Sequence, residues 1–283
     1  MAVYLACATL VARSAKACGE SFTLLTNNAK ALLAIADGLG TEPISIEEID
    51  FNVDVPKGIP FYQAHHKLSV LEALSKGHLG QRAALIDIDT FFLKPISQQL
   101  PAAGVVAYDI TRLVPASYAA SLDKLIGEGG DRRWYGGEFI AGSRTDFSQL
   151  WDAISAIMPS YFLHVRDYPH IGDETVVSAA LNNLAAGGAS VVDAATLNLA
   201  GRWWSSRTEA RYPALSDLRK AAMLHLPSDK PILARLASSW NGSDDLFDAY
   251  SRSVRRKVRL RQIANPILNA AKGTQLRAPK LGI

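Results

Sequence analysis

The sequence predicts an α/β fold: a mostly parallel central sheet flanked by helices, followed by a basic C-terminal tail that is helical or disordered. Three observations lead there. Short apolar runs alternate with apolar stripes at helical spacing, the pattern of a sheet covered on both faces. The strongest apolar run, Ala83 to Ile88, leads into acidic side chains, and in such sheets ligands bind beyond the carboxyl ends of the strands. After Asp248 no acidic residue occurs, whereas Arg252, Arg255, Arg256, Lys257, Arg259, Arg261, Lys272, Arg277 and Lys280 follow. That charge break sets the expected boundary, with residues 1–250 as one domain and 251–283 as the tail.

The elements follow in order. Val3 to Ala17 carries apolar residues at helical spacing, and Gly19 sits where a helix stop belongs. Ser21 to Thr26 reads as a short buried strand, Ala29 to Ala36 as a helix, and Ile44 to Phe51 as a weaker, partly exposed strand. Leu68, Leu71 and Leu74 mark a helix ending near Gly77. Val105 to Tyr108 is a further strand. Phe147, Leu150, Trp151, Ile154 and Ile157 form a helical stripe, and Val176, Val177, Ala180, Leu181 and Leu184 a second. Strands around Ser190 to Val192 and Ala222 to Leu226 complete the set.

The 283 residues are 48% hydrophobic and 20% charged, a globular balance that excludes an intrinsically disordered chain. Cys7 and Cys18 have neither metal spacing nor a disulfide framework, which fits a reducing cytoplasm. No apolar run approaches the roughly 20 residues of a membrane span. The N-terminal apolar run has no basic residue before it, unlike a secretory signal.

The segment Ala84-Leu85-Ile86-Asp87-Ile88-Asp89-Thr90 carries the functional argument. In an extended strand, residues i and i+2 project to one side, so Asp87 and Asp89 are expected to converge. Two carboxylates held that close repel unless a cation lies between them. Mg²⁺ or Mn²⁺ takes oxygen ligands and keeps positions for substrate phosphates. Taken alone, the same pair also suits a solvated loop or a helix cap.

With its apolar exit Phe91-Phe92-Leu93-Lys94-Pro95-Ile96, this block resembles the D-x-D segment of glycosyltransferases of the GT-A fold. Among these it is most like the family 8-type and capsular or lipopolysaccharide sugar transferases, over about Tyr4 to Pro231. The resemblance implies a hexosyl transfer from a nucleoside diphosphate sugar, UDP-sugar first, with Asp87 and Asp89 holding the metal against the donor diphosphate. It implies that His225 is a third metal ligand and that Lys230 meets a phosphate. The segment His225-Leu226-Pro227-Ser228-Asp229-Lys230-Pro231 is similar to the H-x-x-G-x-x-K-P block of retaining members, one residue shorter and without its glycine. Lys67, which opens the helix before the metal strand, becomes a nucleotide-holding residue. The family also has a strand before the first helix, and the sequence as read opens on that helix, so this strand is expected to be missing.

Further roles rest on the same resemblance. Tyr135-Gly136-Gly137-Glu138-Phe139 is similar to the glycine-rich acceptor-side strand, with Gly136 and Gly137 beside the donor and Glu138 contacting the transferred sugar; glycines admit a backbone close to a ligand, and a plain turn uses them too. Asp173 and Glu174, at a helix start, match the family's acidic pair near the acceptor hydroxyl, where a carboxylate acts as general base or stabilises an oxocarbenium-like centre. Asp173 fits an N-cap equally well. Trp203 and Trp204 are read as lining an acceptor groove or as core.

The expected partners are therefore a nucleotide sugar and a carbohydrate or lipid-linked acceptor. The basic segment Ser251 to Arg261 suits peripheral docking on an anionic membrane, at the inner membrane, or a plain solvated end. Nucleic acid ranks last, for want of a matching surface or motif. Two alternatives stay open. One is a haloacid-dehalogenase-type phosphatase, although Phe91 stands where that chemistry needs a threonine. The other is a non-catalytic sugar- or partner-binding protein.

Overall fold

Helix α1 (Ala2–Ala17) packs along helix α8 (Lys230–Ser239) and strand β4 (Thr90–Phe92), joining the two ends of the fold. The computed structural model describes residues 1–39, 44–127, 132–206, 212–242 and 244–257. After α1 the chain forms β1 (Thr23–Thr26), α2 (Ala29–Leu39), β2 (Ser45–Glu48), α3 (Lys67–Ser75) and β3 (Arg82–Ile86). Then come β4, β5 (Val105–Asp109), the short helices α4 (Ala116–Ser121) and α5 (Asp123–Ile126), and β6 (Tyr135–Ser143). Helices α6 (Arg144–Leu163) and α7 (Asp173–Ala186) precede β7 (Val191–Asp193), β8 (Ala200–Arg202), β9 (Met223–His225) and α8; a last helix, α9, spans 246–257.

The predicted α/β class and helix-flanked sheet are both present, and the strand directions are mixed rather than mostly parallel. In the order β3-β6-β5-β7, β6 runs antiparallel to both neighbours, whereas β5 and β7 are parallel. A second sheet, β4-β9-β8, pairs β4 with β9 antiparallel and β8 with β9 parallel. Strands β1 and β2 form a separate parallel pair. Direction is set by connections that an apolar pattern does not encode.

Two hydrophobic cores match the two sheets. Helix α6 packs against both α3 and α7, and their apolar stripes share the larger core with β5 and β6. The predicted stripe of α6 is buried at Phe147, Leu150, Ile154 and Ile157. Its start is fixed by a capping box in which Ser143 and Asp146 exchange side-chain and backbone hydrogen bonds. The smaller core joins α1, α8, α9 and the sheet β4-β9-β8 through Leu10, Phe91, Trp203, Leu224, Leu233 and Tyr250.

The run Ala83 to Ile88, expected as the most buried strand, is half-buried, and its strand ends at Ile86. It is an edge of its sheet: a cleft of about 500 Å³, lined by Phe22, Leu24, Val70, Leu74 and Leu85 among others, lies between it and β1. The longest buried strand is β6, whose first eight residues are all buried. The charge break after Asp248 falls within α9, so residues 251–257 continue a helix whose Tyr250 and Val254 are in the core. The rest of the basic tail, 258–283, lies outside the described residues.

Candidate metal and donor site

The chain passes from the larger sheet to the smaller one between β3 and β4, and that crossing is Asp87-Ile88-Asp89. The aspartates therefore sit in a bend rather than in an extended strand, and their convergence comes from tertiary structure. Strand β9 supplies the third member: its last residue, His225, pairs in register with Thr90 of β4. His225 Nε2 lies 3.6 Å from Asp87 Oδ2 and 3.3 Å from Asp89 Oδ1. One ligand atom from each of the three residues falls within 4.8 Å of the others. Two carboxylate oxygens and an imidazole nitrogen make a donor set that fits Mn²⁺ or Mg²⁺, as the sequence led us to expect.

Two lysines flank the cluster. Lys67 Nζ pairs with Asp87 Oδ1 at 2.5 Å, donates to the Gly137 carbonyl at 3.1 Å and lies 3.7 Å from Asp173 Oδ2. Lys230, first residue of α8, donates to Asp89 and to the Pro227 carbonyl. Burial opposes the charge of Asp89, but His225 and Lys230 outweigh it and hold its carboxyl below the usual range. Burial likewise opposes the charge of Lys67, and Asp173 and Asp87 outweigh it, so the ammonium is held above its ordinary value.

Behind His225 lies Glu138. Its side chain is 1% exposed, with Oε1 3.3 Å from His225 Nδ1 and 3.3 Å from Arg202 Nη1. The side chain expected to contact the transferred sugar here faces His225 and Arg202. The two glycines before it are explained by protein neighbours. A Cβ on Gly136 would come within 1.9 Å of Glu138 Oε2, and one on Gly137 within 2.6 Å of Asp173 Oδ2 and 3.0 Å of Lys67 Nζ.

Asp173 and Glu174 are the first two residues of α7, whose N-cap is Gly172, and the Asp173 carboxylate faces Lys67. Burial, with Lys67 opposing and Glu174 and Asp87 adding, pushes the Asp173 carboxyl up to about 6. Glu174 accepts from Trp134 Nε1 at 3.1 Å and sits 3.7 Å from His170 Nε2. Trp203 is core, whereas Trp204 stacks over the Arg202 guanidinium, 4.6 Å from ring centroid to Cζ.

The structure thus joins Lys67, Asp87, Asp89, Gly137, Glu138, Asp173, His225 and Lys230 in one chain of contacts. Sequence reasoning passed over Arg202, whose only signal was its place at an apolar strand end. It also passed over Asp229, which is fully buried among Ser205 Oγ at 2.7 Å, Tyr250 Oη at 2.9 Å and Lys257 Nζ at 2.5 Å. No sequence signal marks that pairing, because Lys257 lies in the segment set apart as tail.

Phe91, where a dehalogenase-type phosphatase needs its threonine, is fully buried in β4. No helix among the described residues is long and apolar enough to cross a membrane, and both cysteines are free thiols.

No protein-family model matches the sequence, and no curated protein matches it. Solved structures do. The galactosyltransferase LgtC in complex with donor and acceptor sugar analogs superposes with a TM-score of 0.55 at 13% identity, over 88% of this chain and 96% of that one. An active-site mutant of LgtC gives 0.54 at 14% identity over the same shares. With its Asp-x-Asp bend and His225 at the junction of two sheets, this chain has the fold of the GT-A glycosyltransferases.

Proposed function

We propose that this protein is a metal-dependent glycosyltransferase that moves a hexose from a nucleoside diphosphate sugar, UDP-sugar first, to a hydroxyl acceptor. The observation that carries this reading is the convergence of Asp87, Asp89 and His225 with two lysines beside them. Asp87, Asp89 and His225 would hold Mn²⁺ or Mg²⁺, which when bound neutralises charge on the donor diphosphate.

The chain's own groups do the rest. Lys230, free to exchange its Asp89 contact for a phosphate oxygen, stabilises the charge that develops on the leaving diphosphate. Lys67 orients Asp87 and Asp173 by pairing with both, and faces the nucleotide side. Asp173, with a carboxyl near 6, accepts the proton of the attacking hydroxyl or faces the oxocarbenium-like centre; Glu174 lies beside it. Gly137 keeps room for Asp173 and Lys67, and Gly136 for Glu138, on the side of the donor. Residues 1–250 carry this chemistry. The basic stretch from 251 on brings the enzyme to an anionic inner-membrane surface on the cytoplasmic side, where a lipid-linked acceptor is held, with a soluble glycan as the other acceptor class.

The test is Mn²⁺-dependent release of nucleoside diphosphate from a panel of nucleotide sugars, followed by mass spectrometry. Asp89→Ala is expected to abolish metal-dependent turnover with the circular dichroism spectrum unchanged. Full activity in that variant overturns the reading.

A further inference from the structure

We infer that Glu138 is a positioning residue that fixes the ring of His225 for metal ligation, an inference that rests on the metal reading proposed above. The two ring nitrogens of His225 face opposite ways. Nε2 looks at Asp87 and Asp89, and Nδ1 looks at Glu138. A metal-bound histidine commonly gives its second N–H to a carboxylate, which fixes tautomer and ring orientation and raises ligand basicity.

The local structure is built around that contact. Glu138 is buried in the interior of β6, and Arg202, one position beyond Gly201 on β8 and in register with His225, balances its charge. Gly136 leaves the space into which the Glu138 carboxylate folds back. At 3.3 Å the carboxylate and Nδ1 are in ion-pair contact. Both Glu138 oxygens and His225 Nδ1 are without a hydrogen-bond partner among the described residues. Buried polar atoms of this kind are costly unless satisfied. A small turn of the imidazole would bring the Nδ1 hydrogen onto Glu138 Oε1, the oxygen that Arg202 Nη1 also faces at 3.3 Å.

The experiment is Mn²⁺ titration of the full chain without donor, by calorimetry and by pulsed electron paramagnetic resonance. The latter reads ¹⁴N coupling from a bound imidazole. Wild type is expected to bind Mn²⁺ with that coupling, and His225→Ala to lose it. Glu138→Gln is expected to weaken Mn²⁺ binding roughly 10- to 100-fold and to alter the ¹⁴N coupling. Wild-type affinity and coupling in Glu138→Gln overturn the role of Glu138 alone. Absence of ¹⁴N coupling in wild type overturns the metal reading itself and the inference with it. If Glu138→Gln does not fold, Glu138→Asp, which keeps the charge and shortens the reach, decides: weaker binding supports the inference, unchanged affinity overturns it.

Discussion

Lys67 Nζ stands between Asp87, at 2.5 Å, and Asp173, at 3.7 Å, so one ammonium joins the metal-site aspartate to the carboxylate at the start of α7. The pair Lys67–Asp173 sets the first prediction, on pH. In the proposed reaction Asp173 acts as a carboxylate, and burial holds its carboxyl near 6 despite Lys67. Activity should therefore fall as pH drops through about 6. Lys67→Met removes the opposing cation and should move this acid limb to higher pH. The sign for stability is reversed from the usual aspartate. The unfolded chain, at about 3.8, loses its proton first, so this group's contribution to stability falls as pH rises from about 4 to about 6. A shift of that size corresponds to about 3 kcal/mol. Asp173→Asn should gain stability relative to wild type at pH 7 and little at pH 4 in urea titrations.

The second prediction concerns α9. Lys257 Nζ reaches the fully buried Asp229 at 2.5 Å and donates to Ser205 Oγ at 2.7 Å. Asp229 in turn precedes Lys230, the residue that meets Asp89. Removing one member of a buried ion pair leaves the other uncompensated. Lys257→Met should cost about 3 kcal/mol in urea unfolding, with unchanged m-value. Truncation after residue 250 should cost at least as much, because Val254 leaves the smaller core with it. A truncated chain as stable as the full one would make everything past residue 250 dispensable to the fold.

These two sites also mark what the sequence could and could not tell. Helical stripes such as Phe147 to Ile157 were legible because burial of one face imposes the spacing directly. Asp87 and Asp89 were legible from a short apolar run that ends in acid. Their convergence was not, since the strand stops at Ile86 and β9 brings His225 alongside. The burial of Glu138 depends on β6 lying in mid-sheet, antiparallel to both neighbours, and strand order has no local signature. Charge composition separated residues 251–257 from the fold, whereas Tyr250 and Val254 hold them to it through apolar contacts.

Gly137 gives the third prediction. An added Cβ would meet Asp173 Oδ2 at 2.6 Å and Lys67 Nζ at 3.0 Å, the two groups that carry the pH effect. Displacing a reacting group by about 1 Å costs roughly 100-fold in rate. Gly137→Ala should therefore lower kcat by about that factor, while the thermal midpoint moves by only a few degrees. Loss of the fold, rather than of turnover, would mean that Gly137 serves the backbone of β6 and not the site.

Tyr161 supplies the last. Its hydroxyl is buried on α6, 2.9 Å from His65 Nε2, and accepts from the Gly172 amide at 3.0 Å. His65 Nδ1 lies 3.1 Å from the Phe61 carbonyl, which can only accept, so Nδ1 carries the proton, and the single Tyr161 hydrogen is shared between two acceptors, His65 Nε2 at 2.9 Å and the Gly172 carbonyl at 3.2 Å. Burial holds His65 below its ordinary value, consistent with a neutral ring. Gly172 is the residue before Asp173, and with no side-chain cap on α7 the Tyr161 hydroxyl fixes where that helix begins. Tyr161→Phe leaves a buried amide and an imidazole nitrogen without partners, which costs about 1–3 kcal/mol. Because the change acts at the base of Asp173, kcat should fall together with stability, while Mn²⁺ affinity at Asp87, Asp89 and His225 stays as in wild type. A variant that lost Mn²⁺ binding in step with kcat would show that α7 and the metal cluster move as one unit.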